Sequence, residues 1–350
     1  MAKSSIGLDI GSYSVKLVEL DIEENRRKLK SYALVDVYGP EEEYDLEGTN
    51  YSRLAKALNT GFRQLKAAPK RLRNVNCAIG GSSVAVKQIR SIPLGPEELE
   101  SSLGFEARKH LPLDDTDAIL DFQIIDGGAE STFMDILLVA TTKKAFDNQL
   151  SLLQDIGIKP RVIDAACVAM VNSYLIARGK PTGDAALVFL DIGARATNLT
   201  IFTDKNILFS RDIPIGGYKI TEDIKSMRKV EYAEAERLKK ERGMGALLGE
   251  DQAEGPTIRV ARRIAVDSLI DEIRRSLRYY TKETGVREFE RILLCGGSAL
   301  MPNLNSHMAQ ALSLTVEIYN PFEFFTVPPG FDDRLGAQLA VACGLALREE

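Results

Sequence analysis

The string Leu-Asp-Ile-Gly occurs twice in this chain, at 8–11 and 190–193, each time closing one apolar run and preceding another. The longer pairing sets LDIGSYSVKLVEL against LDIGARATNLTIF, 182 residues apart. Strand, tight turn and return strand, repeated at that distance, predict two like-built halves with a cleft between them. A chain of 350 residues has room for two or three such lobes.

Composition narrows the classes of function. Hydrophobic residues at 45% and charged residues at 27% are ordinary for a globular chain, so global disorder is excluded. A net charge of −5 gives no basic face for a duplex, and no nucleic-acid partner is expected. Cys77, Cys167, Cys295 and Cys343 are far apart, without a CxxC pair, and read as buried free thiols of a reducing compartment. His110 and His307 are too few for a histidine metal site or a Ser-His-Asp triad. No apolar run reaches the roughly 18 residues of a membrane span. Asp9 also interrupts the N-terminal run too early for a signal-peptide core. A soluble cytoplasmic chain is expected, with no direct membrane insertion and any membrane attachment made through partners.

Alternation predicts strands at 6–10, 15–20, 30–37 and 75–79, and helical spacing marks 50–65. From Val84 the pattern changes to strand 84–92, helix 97–110 opened by Pro96, and strands 118–125 and 133–141 about the turn 126–128. A helix at 143–156 and a strand at 161–163 follow. Three parts are therefore expected: a first lobe of 1–83 and 161–184, an inserted α+β subdomain at 84–160, and a second lobe at 185–350 with a helical subdomain near 216–270. In that second lobe the pattern gives strands 186–193 and 199–202, a charged solvated helix at 222–242, and a mobile glycine-rich loop at 243–255. An amphipathic helix at 259–280, a strand at 291–294 and helices at 303–312 and 334–348 complete it.

The chemistry lies at the turns. A carboxylate ending a buried strand, as at Asp9 and Asp191, can hold a hydrated Mg²⁺. The glycines that follow, Gly11 and Gly193, let backbone approach a phosphate, and the amides around Ser12, Ser14 and Ala194 can cradle the anion. Lys16, on the return strand, adds a positive charge, and Thr197 offers a hydroxyl from the second half. Gly216-Gly217 permits a further close approach. Gly296-Gly297-Ser298 allows a ribose or flat ring to lie on backbone, or is simply a strand-to-helix turn. Glu236 and Lys239, three apart on one helical face, reach a nucleoside or form a solvated ion pair.

Taken in order, the two phosphate turns, GG-x₃-T-x-D at 216–223, AERLK at 235–239 and LLCGGSALMPN at 293–303 resemble the actin-like ATPase superfamily. Within it the chain is similar to the FtsA-like branch and, over nearly its whole length, to the PilM family of type IV pilus assembly proteins. The resemblance implies an α/β actin-like ATPase fold: two duplicated RNase H-like lobes around a nucleotide cleft, with an FtsA-type α+β insert. It implies ATP and Mg²⁺ as cofactors, held by Asp9, Gly11, Ser12 and Lys16, by Asp191, Gly193 and Thr197, by Glu236 and Lys239, and by Gly296, Gly297 and Ser298. It also implies partners: the N-terminal cytoplasmic peptide of a PilN-like inner-membrane protein, in a groove beside the insert, and other proteins of the pilus platform. That places the chain at the inner face of the inner membrane.

Two departures bear on hydrolysis. Arg195 stands where many relatives carry glycine, and in 162–177 only Asp164 and Asn172 are candidates to position water. Nucleotide binding with weak or no hydrolysis is the expectation. FtsA-type proteins continue into an amphipathic membrane helix; this sequence stops after the helix at 334–348, which favours the pilus scaffold over a division or secretion-system relative or a small-molecule kinase. Self-association is left open.

Overall fold

A computed structural model describes residues 3–23, 26–46, 51–108, 118–127, 132–181, 183–204, 208–248 and 263–348. The first half opens with an antiparallel meander, β1 (Lys3–Ile10), β2 (Ser14–Glu23) and β3 (Arg26–Asp36), then α1 (Tyr51–Gln64) and β4 (Val75–Ile79). The insert follows as β5 (Val84–Ser91), α2 (Pro96–Arg108), β6 (Ala118–Gly127) and β7 (Met134–Thr142). The chain returns through α3 (Lys143–Asp155), β8 (Val162–Ala165) and α4 (Ala166–Arg178).

The second half repeats the theme: β9 (Ala186–Ile192), β10 (Thr197–Phe202) and β11 (Phe209–Ile213), then α5 (Gly217–Arg228), α6 (Tyr232–Arg242), α7 (Met244–Leu248) and α8 (Ala265–Thr284). It ends with β12 (Phe289–Cys295), α9 (Leu304–Leu312), β13 (Val316–Ile318) and α10 (Gly336–Ala346). The two main sheets run β3-β2-β1-β4-β8 and β11-β10-β9-β12-β13, the same order about equivalent strands; the insert forms a third, β5-β7-β6.

Period-2 alternation explains how each main sheet is covered on both faces. Ile6, Leu8, Val15 and Leu17 turn to a core shared with α1, while Val18 and Leu20 turn to α10. In the second sheet Val188, Leu190 and Ile192 meet the helices α5, α7 and α8, and Leu187 and Phe189 meet α4 and α10. Helices α4 and α10 thus lie between the two sheets. Gly7 makes this possible, because a Cβ there would sit 1.9 Å from the Ala342 carbonyl oxygen of α10. Although it comes last in the sequence, α10 packs on the first sheet, which the lobe boundary at 185 does not convey. Leu152 and Leu153 of α3 are likewise buried in the first-sheet core, although α3 was expected to close the insert.

Other differences have local causes. The charged helix expected at 222–242 is two helices, because Lys229 at φ 56° ends α5 in a left-handed cap. The glycine-rich loop begins as a helix, α7, whose Met244, Ala246 and Leu247 are buried; 249–262 lies outside the described residues. Helix α4 is apolar on most sides, so it carries no amphipathic period. The end of the helix expected at 97–110, with His110, and Gly128 of the expected turn lie outside the described residues. All four cysteines are free and buried. Among the described residues, no helix is long and apolar enough to cross a membrane.

Candidate functional site

Strand β1 delivers Asp9 next to its end, and the hairpin register sets it opposite Lys16 on β2. The Lys16 ammonium lies 3.0 Å from the Asp9 carboxylate. Strand β9 delivers Asp191 in the same way, registered beside Cys295 of β12 and Asn198 of β10. Asn198 is the repeat's counterpart of Lys16, so one lysine serves both turns. Burial alone would lower the Lys16 pKa, but Asp9 and Asp191 outweigh it and hold the ammonium above its usual range. Burial first, and then the Asp9 charge, push Asp191 up to about 6 against the pull of Lys16. Each turn is therefore within electrostatic reach of the other.

Between them lies a cavity of about 590 Å³. It is lined by Asp9, Gly11, Ser12, Ser14 and Lys16 from the first half and by Asp191, Gly193 and Ala194 from the second. Glu236, Lys239, Gly296, Gly297 and Ser298 complete the expected set. Gly296 is at φ 83°, and a Cβ there would be 2.5 Å from Asp191 Oδ1 and 2.6 Å from the Ile192 carbonyl oxygen. The Gly-Gly turn and the second Asp-Ile-Gly turn are thus in backbone contact, and only glycine fits between them.

Three expected residues stand behind this surface. Thr197 is fully buried and its hydroxyl donates to the Ile215 carbonyl at 2.7 Å, so it does not offer that hydroxyl to the cavity. The Gly217 amide donates to the Gly193 carbonyl at 2.8 Å, and the next amide, of Tyr218, donates to Ala194 at 2.9 Å. Gly216 packs on the backbone of 194–196. These glycines brace the second turn from behind.

Glu236 and Lys239 line the cavity as a tied pair. Lys239 Nζ is 2.5 Å from Glu236 Oε2, 2.9 Å from Thr221 Oγ1 and 3.2 Å from the Gly217 carbonyl, which occupies all three of its donors. Burial lowers the Lys239 pKa against the pull of Glu236. Burial would raise Glu236, but Lys239 and the Thr221 hydroxyl outweigh it and hold the carboxyl below its ordinary range. Lys239 therefore fixes α6 to α5. Lys240 beside it, with its ammonium 5.8 Å from the Tyr13 ring centre, is the less enclosed cation of the wall.

The sequence reading missed much of the rest. Asp36 ends β3 opposite Ser14 and lines the cavity; the strand pattern of β3 could have found it. Tyr13, Tyr38 and Tyr44 of the first half meet Tyr218 and Tyr232 of α5 and α6 in one cluster at the cleft. Tyr44 and Tyr218 bridge the halves at 5.6 Å between ring centres. The segment after β3 adds an ion pair of Glu43 with Lys225 at 3.0 Å, and Arg195 donates to the Leu46 carbonyl. Arg195 thus lines the cavity while its guanidinium is anchored on the opposite half. Asp164 and Asn172 are not among the cavity lining; Asp164 pairs with Arg348 at 3.5 Å.

Comparison with known proteins agrees with this geometry. The profile of the family described as "Type IV pilus assembly protein PilM" matches residues 7–350. A chain of a solved "PilM-PilN type IV pilus biogenesis complex" superposes with a TM-score of 0.80 at 24% identity, covering 98% of this chain and 97% of that one. The ethanolamine utilization protein EutJ from Carboxydothermus hydrogenoformans gives 0.53 at 15% identity, covering 99% and 89%. The cell division protein FtsA of Bacillus subtilis (strain 168) is 25% identical over 198 residues, 53% of this chain and 44% of that protein. The matched region spans less than half the length of such curated relatives. The fold is the actin-like ATPase fold.

Proposed function

This chain belongs to the family of type IV pilus assembly protein PilM, and from that premise we propose that it is a nucleotide-binding scaffold of the pilus assembly platform. The observation that carries the reading is the pair of Asp-Ile-Gly turns facing one 590 Å³ cavity with Lys16 between their carboxylates. The donor set suits ATP with Mg²⁺. Asp9 and Asp191 are too few to cage a cation without water, which is the coordination Mg²⁺ prefers, and the cost of burying Asp191 ionised would fall with a cation present. Turn amides and Lys16 would take the phosphates, and the Gly296-Gly297-Ser298 turn the nucleoside. Bound Mg²⁺ would supply charge neutralisation at the phosphates.

Hydrolysis is proposed to be weak or absent. Asp164 is engaged by Arg348 outside the cavity, and Arg195 is held by the Leu46 carbonyl. The partner reading rests on the insert. Exposed Ile92, Phe105, Phe122, Ile124 and Phe133 all belong to it or its margins, and β6, an edge strand, carries two of them. Such a surface suits strand addition or helix docking by the N-terminal cytoplasmic peptide of a PilN-like protein, which would hold the chain at the inner face of the inner membrane. Calorimetric titration with that peptide, with and without Mg-ATP, tests the assignment. Saturable binding lost in Phe122→Asp supports it; no binding in either state by a folded protein refutes it.

A further inference from the structure

Residues 48–96 contain nine Lys and Arg and no Asp or Glu, where the chain's average of 50 acids in 350 residues would place seven. The fold gathers the middle of this stretch at one end of the first sheet. Arg63 is in the last turn of α1, and Lys66 follows it at φ 56°. Lys70 and Arg71 lie in a single 3-10 turn (Pro69–Arg71), and Arg73 precedes β4. The stem of Lys70 lies over Gly157, where a Cβ would be 2.9 Å from Lys70 Cγ, and this sets the turn carrying Lys159 beside it. All six cations are exposed. Among the described residues, Lys66, Lys70, Arg71, Arg73 and Lys159 form no ion pair with a carboxylate. Asp155, the acid nearest to Lys159 in sequence, accepts from the Tyr51 hydroxyl at 2.6 Å.

We propose that this end of the first lobe is a docking face for an anionic lipid bilayer. The chain as a whole is acidic, so the patch is a local feature and not a by-product of net charge. It has no exposed aromatic residue on 63–73 for base stacking, and no recognition helix stands out of it for a groove. Nor has it the aromatic and apolar centre of a protein interface, since its exposed uncharged residues are Gln64 and Ala68. What remains is a cluster of flexible cations, which a bilayer's continuous negative surface attracts without a specific pocket. The orientation is favourable too. Strands β1 and β4 are parallel, with Ile6 beside Val75, so the patch is at the start of the strands and Asp9 is at their far end. Docking would leave the cleft open. The inference does not depend on what the cleft binds.

Cosedimentation of the full chain with vesicles of phosphatidylcholine alone, or containing phosphatidylglycerol, is the test. Binding should appear only with the anionic lipid, fall on raising salt from 0.1 to 0.5 M, and resist competition by free glycerol phosphate. The triple change Lys66→Glu, Lys70→Glu, Arg71→Glu should weaken it roughly 100-fold, at about one kcal/mol per cation removed. A variant of equal charge on other surfaces, Lys180→Glu, Arg278→Glu, Lys282→Glu, should bind as the parent does. Equal sedimentation with both vesicle types, equal loss in the two variants, or binding to duplex DNA but not to anionic vesicles would overturn the proposal. The vesicle and salt comparison on the unmodified chain stands even if a variant fails to fold.

Discussion

Lys16 and Asp9 are cross-strand partners on the first hairpin and touch at 3.0 Å, while the second hairpin pairs its Asp191 with Asn198. The duplication thus kept both carboxylates and one lysine, so the cleft's negative charge is answered from one side. Lys16→Met should keep the fold and lose a charge-assisted phosphate contact of about 1.5–3 kcal/mol, a 10- to 100-fold weaker ATP dissociation constant. Calorimetry on parent and variant measures it; an unchanged constant would remove Lys16 from the site.

Gly296→Ala introduces a Cβ within 2.6 Å of both Asp191 and the Ile192 carbonyl at a positive φ. Relief requires the two turns to separate. We expect about 1–3 kcal/mol of destabilisation in urea unfolding together with weakened nucleotide binding. Gly330→Ala, also at positive φ but with no atom within 4 Å of its Cβ, should cost stability without the loss of binding.

The tyrosines at the cleft should act on exchange more than on affinity. Tyr44→Ala removes the ring that joins Tyr38 and Tyr13 to Tyr218 across the halves. Each aromatic pair is worth about 0.5–1.5 kcal/mol, so nucleotide release, followed by stopped-flow with a fluorescent analogue, should accelerate several-fold or more. An unaltered release rate would show that the segment after β3 does not restrain the cleft.

Glu236 sets a sign for acid sensitivity. Its folded pKa is below that of an ordinary carboxyl, so its contribution to stability is fully present above the unfolded value near ~4.3 and is lost as pH falls through the depressed one. Glu236→Gln should flatten that part of the stability profile below about pH 5. A profile identical to the parent's would mean that the α5–α6 pair does not hold its charge.

The site's backbone was more legible in the sequence than its walls. Asp9, Gly11 and Lys16 sit within one hairpin, where pairing follows from local alternation, and the repeat carried the reading to Asp191 and Gly193. Thr197 was misplaced because alternation does not say whether the backbone of 213–215 will claim its hydroxyl. Tyr44 and Tyr218 are joined only by closure of the two halves and share no local pattern. Helix α10 shows the same limit. Its small residues announce a buried helix, but only the contact at Gly7 tells which sheet it covers.

The central claim is that the two Asp-Ile-Gly turns share one nucleotide. Calorimetric titration of Mg-ATP into the parent chain, Asp9→Ala, Asp191→Ala and His307→Ala tests it most directly. The account predicts saturable binding by the parent and His307→Ala at equal affinity, with at least a tenfold loss in both aspartate variants. Equal affinity in all four proteins, or no binding by the folded parent, would contradict it.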